Sequence, residues 1–155
     1  MLQHRFPLEV FADYHQFYVQ HGGINPPAPT DWTDGDVERR AKVADNVVVI
    51  CPLRNATVSV ILDVYSHEPS LVLSDCDHAV RCSIDLPTGE LQVHECTGSE
   101  VLRHTVTPGT YALVALYSGL ATIYGSGLEG ADTYRLVLWP TDSVSPLTVL
   151  KAWAQ

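Results

Sequence analysis

The sequence predicts a mainly β protein: an antiparallel β-sandwich of about seven to nine strands with one short helix near the N-terminus. Three observations carry this. Short apolar runs separated by turn residues fill the chain after Asp45-Asn46, and Val58, Val60, Leu62 and Val64 alternate with period two. Proline also stands ahead of glycine in Leu86-Pro87-Thr88-Gly89-Glu90 and in Thr107-Pro108-Gly109-Thr110, in the manner of tight turns. With 155 residues, 46% of them hydrophobic and 17% charged, the chain has apolar material for one core, so a single domain over residues 1–155 is expected.

Taken in order, Leu8 to Gln20 is rich in Phe, Tyr and Val and reads as one extended strand, with Tyr14, His15, Gln16 and Phe17 on it. His21 to Thr30 combines Gly-Gly with three prolines, which removes backbone donors and predicts a loop. Thr33 followed three residues later by Asp36 has the form of a capping box, and a short amphipathic helix is predicted over residues 34–44, with Val37, Ala41 and Ala44 on its apolar face. Strands follow at Val47 to Ile50, Thr57 to Tyr65, Ala79 to Leu86, Glu90 to Glu95, Val101 to Val106, Tyr111 to Tyr117 and Thr133 to Trp139. The strands flanking each Pro-Gly turn are expected to pair as neighbours. Gly119 to Gly130, with four glycines around Tyr124, reads as an exposed excursion, and Leu147 to Trp153 as one helical turn or a short strand.

Eighteen acidic against nine basic residues give a formal charge of −9, a field that repels phosphate backbones and attracts cationic surfaces. Direct nucleic-acid binding is therefore not expected. Met1 to Val10 has no basic n-region followed by an apolar stretch, and no apolar run approaches the roughly 18 residues of a membrane span, so a cytoplasmic protein without membrane contact is expected. Cys51, Cys76, Cys82 and Cys96 lack a CxxC spacing and read as reduced structural thiols.

The seven histidines include no HxH, HxxxH or HExxH pair, and only Asp75-Cys76-Asp77-His78 concentrates possible ligands; no metal and no cofactor is expected. GxSxG is missing, Gly125-Ser126-Gly127 does not open a helix, and acid pairs are common in a chain this acidic, so no catalytic residue is assigned.

The N-terminal third is the unusual part. Asp31-Trp32-Thr33-Asp34 sets an aromatic between carboxylates at the start of an acidic helix. One reading makes Trp32 a staple between helix and sheet and the acids a complement to the helix dipole, worth about 0.3 to 1 kcal/mol each. The other makes Asp31, Asp34 and Asp36, with Glu38 beside them, a negative rim around a Trp32 anchor, with Tyr14 or His15 supplying a directional hydrogen bond to a basic partner.

At these residues the sequence resembles the competence protein J family, the inhibitors of the bacterial DNA-entry nuclease. The resemblance runs from Tyr14-His15-Gln16-Phe17 through Pro26-Pro27, Asp31-Trp32-Thr33-Asp34, Ala41, Ala44 and Asp45 to Arg54-Asn55, with a weaker echo at Pro108-Gly109-Thr110-Tyr111 and Ala131-Asp132-Thr133-Tyr134. It implies a cytoplasmic protein without catalysis that binds a basic nuclease and suppresses DNA cleavage. Two other classes stay open: a small-ligand- or metal-binding β-barrel with His67, His78 and His94 converging on its interior, and an immunity or interaction module for a partner that is not a nuclease. Neither the oligomeric state nor the strand order is fixed by the sequence.

Overall fold

The structure, a computed structural model, describes residues 1–23 and 27–154, and eleven strands and one α-helix occur among them. Residues 24–26 of the expected loop, Pro26 of the Pro-Pro pair among them, lie outside the described residues. In chain order the elements are β1 (Leu2–Phe11), β2 (Phe17–His21), α1 (Asp34–Arg39), β3 (Ala41–Ala44), β4 (Val47–Ile50), β5 (Thr57–Tyr65), β6 (His78–Leu86), β7 (Glu90–Glu95), β8 (Glu100–Thr105), β9 (Gly109–Ser118), β10 (Thr133–Pro140) and β11 (Thr148–Lys151). A six-stranded sheet ordered β1-β5-β10-β9-β6-β11 and a five-stranded sheet ordered β3-β4-β2-β7-β8 form the sandwich. All pairs are antiparallel except β5 with β10.

The core lies where the two inner faces meet. Val58, Val60, Leu62 and Val64 of β5 pack there with Phe17 and Val19 of β2, Val48 and Ile50 of β4, and Leu91 and Val93 of β7, as the period-two pattern requires. The unbroken apolar runs of β4 and β9 arise because their outer faces are covered as well. Tyr18, Val47 and Val49 pack with Trp32, Ala44, Cys51 and Cys96 outside the five-stranded sheet, while Ala112, Val114 and Leu116 pack with Leu71, Leu73 and Cys76 outside the six-stranded one. All four cysteines are free, and burial pushes the Cys51 and Cys82 thiols up to about 12, which keeps them protonated.

Several expectations are corrected. Leu8 to Gln20 is two strands in different sheets, because the backbone turns at Asp13–His15 with Tyr14 and His15 both left-handed. The helix ends five residues early: Arg40 is left-handed at its C-cap, and Ala41 to Ala44 then pair with Ile50 to Val47. Ala41 and Ala44 therefore belong to β3, and Val37 is 63% exposed, so no apolar helical face forms. Neither Pro-Gly turn joins paired neighbours, since each carries the chain across the sandwich, from β6 to β7 and from β8 to β9. Gly89 makes the first crossing possible: its φ is +76°, and a Cβ there would overlap the Val106 carbonyl oxygen. The tail is the short strand β11, paired with β6.

One polar cluster on the outer face of the six-stranded sheet bears on stability. Asp63 of β5 has no exposed side-chain surface, and its oxygens accept from Arg5 Nε at 2.7 Å, Arg5 Nη2 at 2.9 Å and Arg135 Nε at 2.8 Å. Burial opposes its charge, but the two guanidinium groups outweigh burial and hold its carboxyl below the ordinary range. A lowered folded-state pKa confers stability that is complete above the unfolded value of about 3.9 and is lost as pH falls through the folded value. The melting temperature is expected to fall below about pH 4, and Asp63→Asn should lower it at pH 7 and flatten its acid dependence. Equal acid sensitivity in both proteins would assign the effect elsewhere.

Candidate functional site

The turn that separates β1 from β2 places the first site residues. The Tyr14 N–H is shared between Asp13 Oδ1 and Asn55 Oδ1, both at 3.1 Å, and the His15 N–H donates to the Ala12 carbonyl at 3.0 Å, which holds two non-glycine residues at positive φ. Because a carbonyl can only accept, His15 Nδ1 donates to Pro52 O at 3.2 Å. Tyr14 and His15 are thus on a fixed turn, and Tyr14 is 67% exposed.

α1 supplies the rest. Its capping box is formed as expected: Asp36 N–H donates to Thr33 Oγ1 at 3.2 Å, and Thr33 N–H donates to Asp36 Oδ2 at 3.0 Å. Trp32, just before the cap, is half-buried against the outer face of the five-stranded sheet, with its Nε1–H on Pro29 O at 3.2 Å and Lys42 Nζ 5.7 Å from its ring centre. The staple reading therefore holds for part of Trp32. The rest of the indole lines an open groove of about 420 Å³ with Tyr14, His15, Val37, Arg40 and Leu53. The structure brings Tyr14, His15 and Trp32 together from two distant stretches of chain.

The acids divide. Asp31 and Asp34 are exposed, Asp31 with 88% of its side-chain surface, and a 3.7 Å contact with Lys42 Nζ does little to neutralise it. Glu38 is exposed as well. Asp36 is 5% exposed and accepts from Lys42 Nζ at 2.6 Å and Arg39 Nη2 at 2.8 Å. The hydrogen bond from Lys42, aided by Thr33 and Arg39, holds its carboxyl well below the ordinary carboxylate range. As a rim charge Asp36 is therefore a correction: a residue that closes a capping box and two ion pairs has no charge to offer a partner.

Two residues of this surface escaped the sequence reading. Arg40 and Leu53 line the groove, and Arg40 is fixed in its left-handed conformation because its carbonyl accepts from Cys51 N–H at 3.0 Å and from the Tyr117 hydroxyl. The only signal was a pair of arginines, Arg39-Arg40, in a chain poor in cations. The remaining cations are consumed by the fold. Of nine, Arg5, Arg39, Lys42, Arg54, Arg81, Arg103 and Arg135 are in ion pairs with acids. Lys151 Nζ donates to the Leu73 and Cys76 carbonyls at 2.8 and 2.6 Å. Asp31, Asp34 and Glu38, by contrast, stand exposed, and among the described residues the one cation near them in an ion-pair contact is Lys42, 3.7 Å from Asp31 Oδ1.

The histidines of the barrel alternative do not share a pocket. His67 is exposed with Nε2 3.3 Å from the Met1 amino group, His78 is buried with Nε2 donating to Arg39 O at 2.8 Å, and His94 Nδ1 donates to Glu95 O at 2.6 Å. Asp77 accepts from Leu120 N–H at 2.8 Å, and Cys76 Sγ donates to Leu73 O at 3.3 Å. Among the described residues no group of three or more His, Cys, Asp or Glu is placed to hold a metal.

The segments that carry the resemblance meet in space. Asn55 holds the Tyr14 N–H, Arg54 Nε donates to Asp132 Oδ1 at 2.6 Å, and the Tyr134 hydroxyl donates to Asp132 Oδ2 at 2.6 Å. The family model described as competence protein J (ComJ) matches residues 9–136. Among solved structures, ComJ from Bacillus subtilis, described as an inhibitor of the DNA degrading activity of NucA, superposes with a TM-score of 0.68 at 19% identity, covering 91% of this chain and 98% of that one. A protein described as crocagin biosynthetic gene J superposes with a TM-score of 0.57 at 19% identity, covering 89% of this chain and 99% of that one. No curated protein matches the sequence significantly.

Proposed function

The chain belongs to the competence protein J family, and from that premise we propose that it binds a DNA-degrading nuclease in the cytoplasm and suppresses its activity, with no catalysis of its own. The observation that carries this reading is the sorting of charge. Seven of nine cations are spent on ion pairs within the fold, while Asp31, Asp34 and Glu38 stand exposed beside the Trp32 groove. A nuclease must offer cationic groups to the phosphates of DNA. A folded surface of opposite sign competes for those cations, and an apolar anchor at its centre supplies the contact that charge alone does not. The solved relative named as an inhibitor of NucA points the same way.

The test is retention and inhibition together. A lysate of the source cells is passed over immobilised protein, and the eluate is assayed on plasmid DNA with and without added free protein. Retained DNA-cleaving activity that the free protein suppresses at near-equal stoichiometry is expected, and an eluate without such activity rejects the reading.

The charge argument has its own check. The association rate with that nuclease should fall about tenfold or more between roughly 0.05 and 0.5 M salt, as screening shortens the reach of the exposed carboxylates. A flat response contradicts electrostatic steering.

A further inference from the structure

Beyond Arg40 the groove has a neighbour. A second depression of about 390 Å³ is lined by Arg40, Leu53, Leu120, Ile123, Gly127 and Trp153, so Arg40 and Leu53 border both hollows. At the second hollow the chain runs through the glycine-rich excursion, which presents Tyr124 and Leu128 at 63% and 49% exposure. This excursion is built. The Tyr124 N–H donates to Glu129 O at 2.8 Å, and Arg54 Nη1 donates to Leu128 O at 2.9 Å. Tyr14 and Val37 line the first hollow, and Tyr124 and Leu128 flank Ile123 and Gly127, which line the second; all four are among the most exposed large apolar side chains of the described residues, and exposed apolar side chains on neighbouring segments are a feature of contact regions.

Arg40 between the hollows is the exception to the sorting of charge. Its guanidinium carbon sits 5.3 Å from the centre of the Trp153 ring, its buried Nε–H has no acceptor, and no carboxylate among the described residues pairs with it. A partner that covers this guanidinium must bring an acceptor of negative charge, because a covered cation without one is strongly unfavourable.

Building on the inhibitor reading, we propose that the nuclease spans both hollows, that Tyr124 and Leu128 form a second apolar anchor beside Trp32, and that Arg40 receives a carboxylate of the nuclease. The occupant is a mainly basic surface, matched to exposed Asp31, Asp34, Glu38 and Glu129, that carries one acidic group at its centre. A lone cation within an acidic rim fixes orientation, since a uniformly basic surface placed over Arg40 is repelled.

The nuclease retained in the lysate experiment is the probe, and its inhibition by the unaltered protein is measured first; no inhibition there rejects the parent reading, and this proposal with it. Given inhibition, Tyr124→Ser with Leu128→Ser is expected to raise the inhibition constant at least tenfold. Arg40→Asn, which keeps a residue tolerant of the left-handed backbone, should raise it at least fivefold, and Arg40→Lys should restore part of the loss. Unchanged constants in variants that melt like the unaltered protein overturn the proposal and leave the inhibitor reading standing. Should a variant fail to fold, hydrogen exchange on the unaltered protein decides: nuclease binding must slow exchange across residues 119–130, and unchanged exchange there overturns the second anchor.

Discussion

Converting Asp31 and Asp34 together to lysine is expected to abolish inhibition of the nuclease while the protein stays folded. Both carboxylates are exposed, and Asp31 meets only Lys42, at 3.7 Å. Their contribution to the fold is small. An exposed ion pair is worth about 0–1 kcal/mol, and reversing a charge in the first turn of α1 costs about 0.3–1 kcal/mol. Lys42 keeps its 2.6 Å partner Asp36, so Trp32 stays seated. Binding loses far more, because two attractions to a cationic surface become two repulsions. A penalty of about 3–4 kcal/mol, some hundredfold to thousandfold in the inhibition constant, is expected. Titrating plasmid cleavage against the double variant, with a melting curve taken alongside, measures both effects. A variant that melts normally and inhibits as well as the unaltered protein removes this edge from the contact.

The sandwich itself was legible because its signals are local. Alternation in β5 reports one buried face, and the unbroken apolar runs of β4 and β9 report two. What local signals omit is the destination of a turn. Pro87 to Gly89 and Pro108 to Gly109 announce that the chain bends, yet whether the next strand joins the same sheet or the opposite one is set by long-range packing. The break after Ala12 was hidden for a related reason: Tyr14 carries no local sign of a left-handed backbone, and the Asn55 side chain that accepts its N–H lies forty-one positions away. At the candidate site, Tyr14, His15 and Trp32 line one groove, while Asp36 was given two incompatible roles. Its capping-box spacing was already visible, and a capped, twice-paired carboxylate is lost to the rim. Arg40 and Leu53 escaped because only the folded chain brings the end of α1, the segment after β4 and the glycine-rich excursion to neighbouring hollows.

Asp132→Ala should produce the largest loss of stability, about 3–5 kcal/mol. The Asp132 side chain has no exposed surface; Arg54 Nε reaches one oxygen at 2.6 Å and the Tyr134 hydroxyl the other at 2.6 Å, and Tyr134 in turn accepts from Leu53 N–H at 3.0 Å. Removing the carboxylate leaves a guanidinium at 10% side-chain exposure without its counter-charge and a buried hydroxyl without its acceptor. Asp132→Asn keeps the shape and one acceptor oxygen, so the difference between the two variants separates loss of hydrogen bonding from loss of charge. Arg54→Met in the Asp132→Ala background should recover part of the deficit, because the uncompensated cation goes with it. Urea unfolding with unchanged slope gives the values. A loss below about 1 kcal/mol for Asp132→Ala would mean that water replaces the carboxylate at Arg54 and that the pair contributes little to the fold. The same clamp reaches the glycine-rich excursion proposed as the second anchor, since Arg54 Nη1 holds the Leu128 carbonyl at 2.9 Å, so a guanidinium set adrift should loosen Tyr124 and Leu128 as well. Asp132→Asn is then expected to weaken inhibition by more than its melting temperature alone explains, and matched losses in the two readouts would confine Asp132 to the core.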